Sequence, residues 1–235
     1  MIKTHKITYK VFLFERVKKK IPFWDTETYP LQIRLTAGPK TVYLKSRFFS
    51  LLQLHKYRRE LGYSDAKIAI DDIAALEDEL VRYLLYKNIK DASLEAIKQE
   101  YNFLSNDILH ELDERFKQFL VDFFYAEQLP AYSMLIQNDG ANHSSEFILQ
   151  DLAKSLQPAV FEKLLSTAVE KSPPYIPLVK FSHAAIDSPL PVFPVYQWQQ
   201  EKIVDAFDDF ISKEFPEYKA SYPAIYINQL LHQFM

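Results

Sequence analysis

The sequence predicts an α+β protein, in which a small N-terminal antiparallel β-sheet of about three strands precedes a mostly α-helical body. Three observations support this prediction. Apolar and polar residues alternate from Leu31 to Lys45, apolar residues recur at spacings of three and four after residue 70, and basic residues concentrate near the N-terminus. The expected domains are therefore a basic sheet module, residues 1–62, and an acidic helical body, residues 63–235.

The stretch from Leu31 to Lys45 has the pattern of a β-hairpin. Apolar positions alternate with polar ones on both sides of an Ala-Gly-Pro-Lys turn at residues 37–40. A further strand is predicted over residues 9–17, with Val11 and Leu13 on one face and Lys10, Phe12, Phe14 and Arg16 on the other. Together these strands are enough for one three-stranded antiparallel sheet.

Amphipathic periodicity predicts helices in most of the remaining chain. The expected spans are 71–88, 93–128 with a break near residues 102–106 where Ser105 could cap a new helix, 145–156, 158–170, 196–215 and 222–234. Pro130 and the polar run 137–145 predict a loop and a possible sub-boundary. Six prolines between residues 173 and 194 argue against a helix there, and their apolar neighbours predict an extended segment packed on the body.

Composition excludes several kinds of chemistry. The chain has no cysteine, so it has neither disulfides nor a thiolate nucleophile nor a cysteine-ligated metal. Its three glycines are too scattered to form a phosphate-binding loop, in which clustered glycines let backbone amides approach an anion. No cofactor is therefore predicted.

The histidines and carboxylates do not indicate an enzyme. The six histidines are widely separated, and the best local group, Asp107, His110, Glu111 and Glu114, shares one face of a single helix. A metal site needs ligands that converge from elsewhere, so this group is interpreted as a solvated surface. No arginine follows Arg115, which leaves the C-terminal half without bidentate contacts to phosphate.

No apolar run approaches the roughly 20 residues that span a bilayer, and the first ten residues do not resemble a signal peptide. The expected location is the cytoplasm, without membrane contact.

Charge is distributed unevenly along the chain. Residues 1–60 contain 14 Lys and Arg against 4 Asp and Glu, whereas the remaining residues contain 14 against 27. A basic nucleic-acid-binding module joined to an acidic body would have this distribution, because clustered cations favour phosphate binding. Alternatively, the two parts neutralise each other across an internal interface.

The hairpin and its flanks also resemble a known family. Pro30, Leu31, Ile33, Arg34, Leu35, Thr36, Gly38, Val42, Tyr43, Leu44 and Lys45 resemble the arm-type DNA-binding region of Bacteroidetes tyrosine recombinases, the phage integrases. This resemblance covers roughly the first 100 residues and implies double-stranded DNA contact by a small sheet whose strands enter a groove. The family's catalytic domain cannot be found, so the resemblance implies a protein derived from a mobile element without strand-transfer activity.

The leading hypothesis is a non-enzymatic protein whose basic sheet binds nucleic acid, most simply double-stranded DNA, and whose acidic helical half contacts protein. Tyr43 is a candidate for stacking or groove contact. The candidate cations are Lys10, Arg16, Lys18, Lys19, Lys20, Arg34, Lys40, Lys45, Arg47, Arg58 and Arg59. The alternatives are a structural or adaptor subunit without nucleic-acid binding, and for the hairpin a sheet that only covers the body.

Overall fold

The computed structural model describes residues 7–17, 19–57, 68–87, 93–185, 188, 190–219 and 222–234, and it has the α+β class that the sequence predicts. The chain divides into two compact units. The first, here called the sheet unit, comprises Met1–Leu54 and Ala66–Asn106; the second, the helical unit, comprises His55–Asp65 and Asp107–Met235. The boundary expected between residues 62 and 63 lies outside the described residues.

The sheet unit contains the predicted three-stranded antiparallel sheet. Its strands β1, β4 and β5 are hydrogen-bonded in the order β1-β4-β5, and β2 and β3 form a separate two-stranded sheet. The strands are β1 (Ile7–Leu13), β2 (Ile21–Phe23), β3 (Thr26–Thr28), β4 (Leu31–Ala37) and β5 (Lys40–Lys45). Strand β1 begins and ends earlier than the predicted span 9–17, although Phe14 N still donates to Pro30 O at 2.9 Å.

A two-residue turn joins β4 to β5. Ala37 pairs with Lys40, which leaves Gly38 and Pro39 as the connecting residues. Gly38 has φ 58°, in the left-handed region that glycine enters without steric cost, and a glycine at the first turn position is typical of type II′ hairpin turns. The following proline is compatible with the negative φ of the second position.

Replacing Gly38 with alanine is expected to lower the free energy of unfolding by about 1 kcal/mol, because a Cβ atom is strained at this φ. Urea-induced unfolding followed by circular dichroism measures this change. Lys40→Ala is the matched control, since it alters an exposed residue of the same hairpin without a positive φ. Equal midpoints for the two variants would show that the turn tolerates a side chain.

Three helices complete the described part of the sheet unit. They are α1 (Arg47–Leu52), α2 (Ile70–Lys87) and α3 (Leu94–Leu104). Ser46 and Ser93 begin α1 and α3, because each hydroxyl accepts a hydrogen bond from a first-turn backbone N–H. Helix α2 packs on β1, and α3 packs on β4 and β5. The sequence assigns α2 and α3 to the helical body, whereas they lie in the sheet unit.

The described residues of the helical unit fold mainly into helices joined by short loops. These are α4 (Ile108–Ala126), α5 (Pro130–Asp139), a 3₁₀ turn (Gly140–Asn142), α6 (Ser145–Ser155), α7 (Pro158–Lys171), α8 (Tyr175–Ala185), α9 (Val195–Trp198), α10 (Ile203–Glu214) and α11 (Tyr222–Leu231). The predicted break before α4 is present, but Asp107 rather than Ser105 caps it, accepting from Leu109 N and His110 N at 3.2 Å each.

Three loop and helix predictions are wrong. Pro130 is the first residue of α5 rather than part of a loop, because the backbone N–H that proline lacks has no partner in the first turn of a helix. The polar stretch from residue 137 continues α5 to Asp139 and forms a 3₁₀ turn from Gly140 to Asn142. Pro177 likewise lies in the first turn of α8, so the proline-rich segment is helical from Tyr175 to Ala185. The predicted helix 196–215 is divided near Lys202, which has φ 69°.

Candidate nucleic-acid interface

Strand alternation gives the three-stranded sheet two different faces. One face carries Ile33, Leu35 and Leu44, which are buried beneath it. The opposite face, here called the outer face, presents side chains at the alternate positions. It consists of Thr8, Lys10, Phe12 and Phe14 from β1 and its extension, Gln32, Arg34 and Thr36 from β4, and Thr41, Tyr43 and Lys45 from β5.

The strand register brings two predicted cations together on the outer face. Lys10 lies directly opposite Arg34 across the β1–β4 pair, and Tyr43 lies opposite Arg34 across the β4–β5 pair. All three residues are exposed. Like charges in directly opposed positions destabilise a sheet, so the Lys10–Arg34 pair costs folding free energy unless an anion lies between them.

Lys45 extends the positive charge of the outer face. It lies opposite Gln32 on the neighbouring strand and is exposed. Among the described residues, no carboxylate forms an ion pair with Lys10, Arg34 or Lys45. These three cations therefore remain available to an external anion.

The other predicted cations have different positions. Lys40 is exposed beside the hairpin turn, and Arg16 and Lys19 are exposed after β1. Lys20 lies 5.7 Å from the centre of the Tyr29 ring, and Arg47 donates from Nη1 to Asn102 O at 2.9 Å, so both have contacts within the unit. Lys18, Arg58 and Arg59 lie outside the described residues.

An aromatic cluster occupies the outer face beside these cations. The rings of Phe12, Phe14 and Tyr43 are in mutual contact, with centroid separations of 6.2 Å, 6.4 Å and 6.5 Å. Tyr43 remains 51% exposed, and the two phenylalanines are partly exposed. Tyr43 was predicted as a contact residue but Phe12 and Phe14 were not, although their alternation with Lys10 places them on the same face.

A buried carboxyl group supports the end of β5. Ser46, which follows β5, donates from Oγ to Glu77 Oε1 at 2.5 Å, and the Tyr101 hydroxyl donates to both Glu77 oxygens at 3.0 Å and 2.9 Å. Burial raises the pKa of Glu77 to about 7, although the hydroxyl and backbone donors favour the charged form. The network therefore ties the end of the hairpin to α2 and α3.

On the buried face, Tyr9 connects β1 to α2. Its hydroxyl donates to Asp78 Oδ1 at 2.8 Å and accepts from Arg82 Nε at 3.2 Å. Arg82 also forms an ion pair with Asp78 at 2.6 Å. This arrangement orients β1, so that Lys10, the next residue, points to the opposite face.

The helical unit contains a second polar cluster, around the buried Lys56. Lys56 Nζ donates to His110 Nδ1 and to Asp113 Oδ2, both at 2.7 Å, and Lys117 Nζ lies 2.8 Å from the same Asp113 oxygen. Asp107 is buried, with an exposed fraction of only 7%, and His110 is half-buried, so the interpretation of these two residues as a solvated surface is wrong. Sequence reasoning missed Lys56, because it lies 57 residues from Asp113.

Three groups around Lys56 have pKa values that the surrounding structure shifts: His110, Asp113 and Asp107. Burial lowers the pKa of His110, and the Lys56 charge lowers it further, which favours the neutral imidazole whose Nδ1 accepts the hydrogen bond from Lys56 Nζ. Burial raises the pKa of Asp113, but the charges of Lys56 and Lys117 outweigh it and hold the pKa below its usual value. Burial raises the pKa of Asp107 to about 6, against the donors Phe193 N and His110 N and the Lys56 charge.

The surroundings of the Lys56 cluster leave little room for a ligand. The described residues contain no group of three or more His, Asp or Glu side chains arranged to hold a metal ion. The adjoining cavity, between Lys56, His110 and Tyr175, has a volume of only about 40 Å³. A space of this size admits a few water molecules, so the cluster is best explained as a structural ion network.

Comparison with protein-family models, with curated proteins and with solved structures gives no match for the chain. No helix within the described ranges is long and apolar enough to cross a membrane.

Proposed function

We propose that the protein is a non-enzymatic nucleic-acid-binding protein and that the outer face of its sheet contacts phosphates, with double-stranded DNA as the ligand that the hairpin resemblance implies. The observation that carries this proposal is the direct opposition of Lys10 and Arg34 without a described acidic partner. Natural sheets usually place opposite charges or neutral pairs in such positions. A phosphate between the two cations converts a repulsive pair into an attractive triad.

The wider charge distribution supports the same ligand. The first 60 residues carry ten more basic than acidic side chains, and exposed cations near the hairpin include Arg16, Lys19 and Lys40. Such clustered cations attract a polyanion over distances of about 10 Å at 0.1 M salt. Phosphate contacts position a protein on DNA without selecting a sequence, so the proposal is binding with little base specificity.

A salt titration of binding to a labelled random DNA duplex tests the proposal. The logarithm of affinity should fall linearly with the logarithm of salt concentration, because each neutralised phosphate releases counterions. Arg34→Ala is expected to weaken binding and to reduce the magnitude of the salt slope by about 1, since one phosphate contact is lost. Absence of binding at low salt would contradict the proposal.

A charge reversal separates binding from folding. Arg34→Glu replaces the repulsive pair with a Lys10–glutamate pair, so we expect the free energy of unfolding to stay constant or rise by about 0.2–1 kcal/mol. Binding to the duplex should nevertheless decrease more than for Arg34→Ala, because the new carboxylate repels phosphate. Loss of both stability and binding would indicate that Arg34 belongs to an internal interface.

The matched control changes the same amount of charge elsewhere. Lys154→Glu reverses an exposed lysine at the end of α6, whose ion pair with Asp151 is itself exposed. If the outer face is the binding surface, this variant should bind the duplex nearly as well as the unaltered protein. Equal losses for Arg34→Glu and Lys154→Glu would mean that net charge, rather than this face, governs the interaction.

A second candidate function, an adaptor that contacts protein, is favoured by helix α5. This helix buries only Ser133 and Ile136, whereas Met134 and Leu135 are 59% and 64% exposed. Adjacent exposed apolar side chains of this size often belong to a surface that a protein partner covers. Loss of a partner's binding in Leu135→Asp, with nucleic-acid binding intact, would assign protein contact to α5.

A further inference from the structure

The aromatic cluster of the outer face includes apolar side chains that phosphate binding does not require. Phe12 and Phe14 carry no hydrogen-bonding group, so they can neither read the edge of a base pair nor contact a phosphate strongly. They nevertheless lie beside Lys10 on β1, and their rings meet Tyr43 across the middle strand. An apolar cluster inside a cationic face indicates a ligand with both negative charge and apolar surface.

A nucleic-acid base offers that apolar surface only through its flat face. In a duplex the faces are covered by the neighbouring base pairs, whereas in a single strand they are accessible to aromatic side chains. Proteins that bind single strands accordingly combine a positive surface for the backbone with aromatic side chains on which bases stack. The outer face has both components within one sheet.

The strand register places the cations and the aromatic rings in adjacent positions. Tyr43 and Lys10 lie opposite the same residue, Arg34, and are therefore separated by two strand spacings, about 10 Å. Phe12 lies two residues from Lys10 on the same face, about 7 Å along the strand. A backbone held by Lys10 and Arg34 thus runs within reach of both rings.

We infer that the outer face binds single-stranded DNA, with unpaired bases stacking on Tyr43 and Phe12 while Lys10, Arg34 and Lys45 hold the phosphates. This inference rests on the proposed nucleic-acid binding and narrows its ligand. Duplex DNA then binds through the cations alone, and strands with unpaired bases gain the stacking contacts in addition. Single-stranded DNA is the committed ligand because the proposed partner is DNA, in which unpaired bases occur wherever the duplex opens.

The test compares the full-length protein with a double variant, Phe12→Leu/Tyr43→Leu. Leucine keeps most of the apolar volume on the sheet but removes the aromatic faces. The probes are a fluorescein-labelled DNA strand of about 20 nucleotides, the same strand annealed to its complement, and an RNA strand of the same sequence, each measured by fluorescence anisotropy. Tyr86→Leu is the control, because Tyr86 is a 79% exposed tyrosine of α2 in the same unit.

The unaltered protein is expected to bind the single DNA strand more tightly than the duplex. The double variant should lose about tenfold in affinity for the single strand and little for the duplex, whereas Tyr86→Leu should change neither. Thermal unfolding of each variant verifies that the sheet remains folded; if Phe12→Leu/Tyr43→Leu unfolds, Tyr43→Leu alone repeats the comparison.

Other results would overturn the inference in distinguishable ways. Equal losses on the single strand and the duplex would show that the rings do not stack on unpaired bases. No loss on either probe would show that the aromatic cluster only stabilises the sheet. Phosphate binding stands in both cases. Tighter binding to the RNA strand than to the DNA strand would overturn the assignment to DNA. No binding to any of the three probes would remove the proposed nucleic-acid function together with this inference.

Discussion

Replacing Asp113 with alanine is expected to lower the free energy of unfolding by about 3–5 kcal/mol, because removal of one partner leaves buried charges uncompensated. Asp113 neutralises two buried lysines: its side chain is 3% exposed, and those of Lys56 and Lys117 are 3% and 7% exposed. Asp113 Oδ1 also accepts from Ser145 N at 2.6 Å, which fixes the start of α6. Urea-induced unfolding followed by circular dichroism measures the change.

The matched control for this prediction is Asp151→Ala. Asp151 also pairs with a lysine on a helix of the helical unit, but its side chain is 59% exposed and that of Lys154 is 75% exposed. Exposed pairs contribute about 0–1 kcal/mol, so the control should unfold at nearly the same urea concentration as the unaltered protein. Similar midpoints for the two variants would contradict the idea that the Asp113 network is essential for stability.

The stability of the sheet unit is expected to depend on pH through Glu77. Its pKa rises from the ordinary 4.5 to about 7 in the folded protein, so the folded state binds the proton more tightly than the unfolded state. The resulting stabilisation is complete below pH 4.5 and is lost as the pH rises through about 7. A shift of this size corresponds to about 3 kcal/mol.

Comparison with Glu77→Gln isolates this effect, because glutamine keeps an acceptor for Ser46 and Tyr101 but does not titrate. The unfolding free energy of the unaltered protein, relative to that of Glu77→Gln, should fall by about 3 kcal/mol between about pH 4 and pH 8. Glu95→Gln, which alters an exposed glutamate of α3, serves as the control for general effects of charge. A constant difference between the unaltered protein and Glu77→Gln would show that the pKa of Glu77 is the same in the folded and unfolded states.

The sheet could be predicted from sequence because its signals are local. Alternation with period two decides which residues of β4 and β5 face the core, and Gly38 with Pro39 determines where the hairpin turns. Strand β1 was also predicted, but which of its residues pair with which residues of β4 was not. Only the pairing of Lys10 with Arg34 reveals that two cations meet on the outer face.

The polar clusters could not be predicted, because they join residues that are distant in sequence. Asp107 resembled a surface carboxylate, yet Phe193 N, 86 residues later, donates to it at 2.7 Å. Pro177 resembled a residue that ends a helix, but it is the third residue of α8. In the first turn the missing N–H of proline removes no hydrogen bond within the helix. Such effects depend on tertiary packing and on exact helix limits, and neither has a local sequence signature.

In the strand order β1-β4-β5, β1 and β5 are edge strands, and each has one backbone edge that no described strand pairs with. Edge strands can pair with the edge strand of another copy, and lysines on them oppose this pairing by electrostatic repulsion. Lys10 lies on β1, and Lys40 and Lys45 lie on β5. Lys10 and Lys45, two of the cations proposed to hold phosphates, are therefore also expected to oppose edge-to-edge pairing, and a bound polyanion that neutralises them is expected to favour association of two copies.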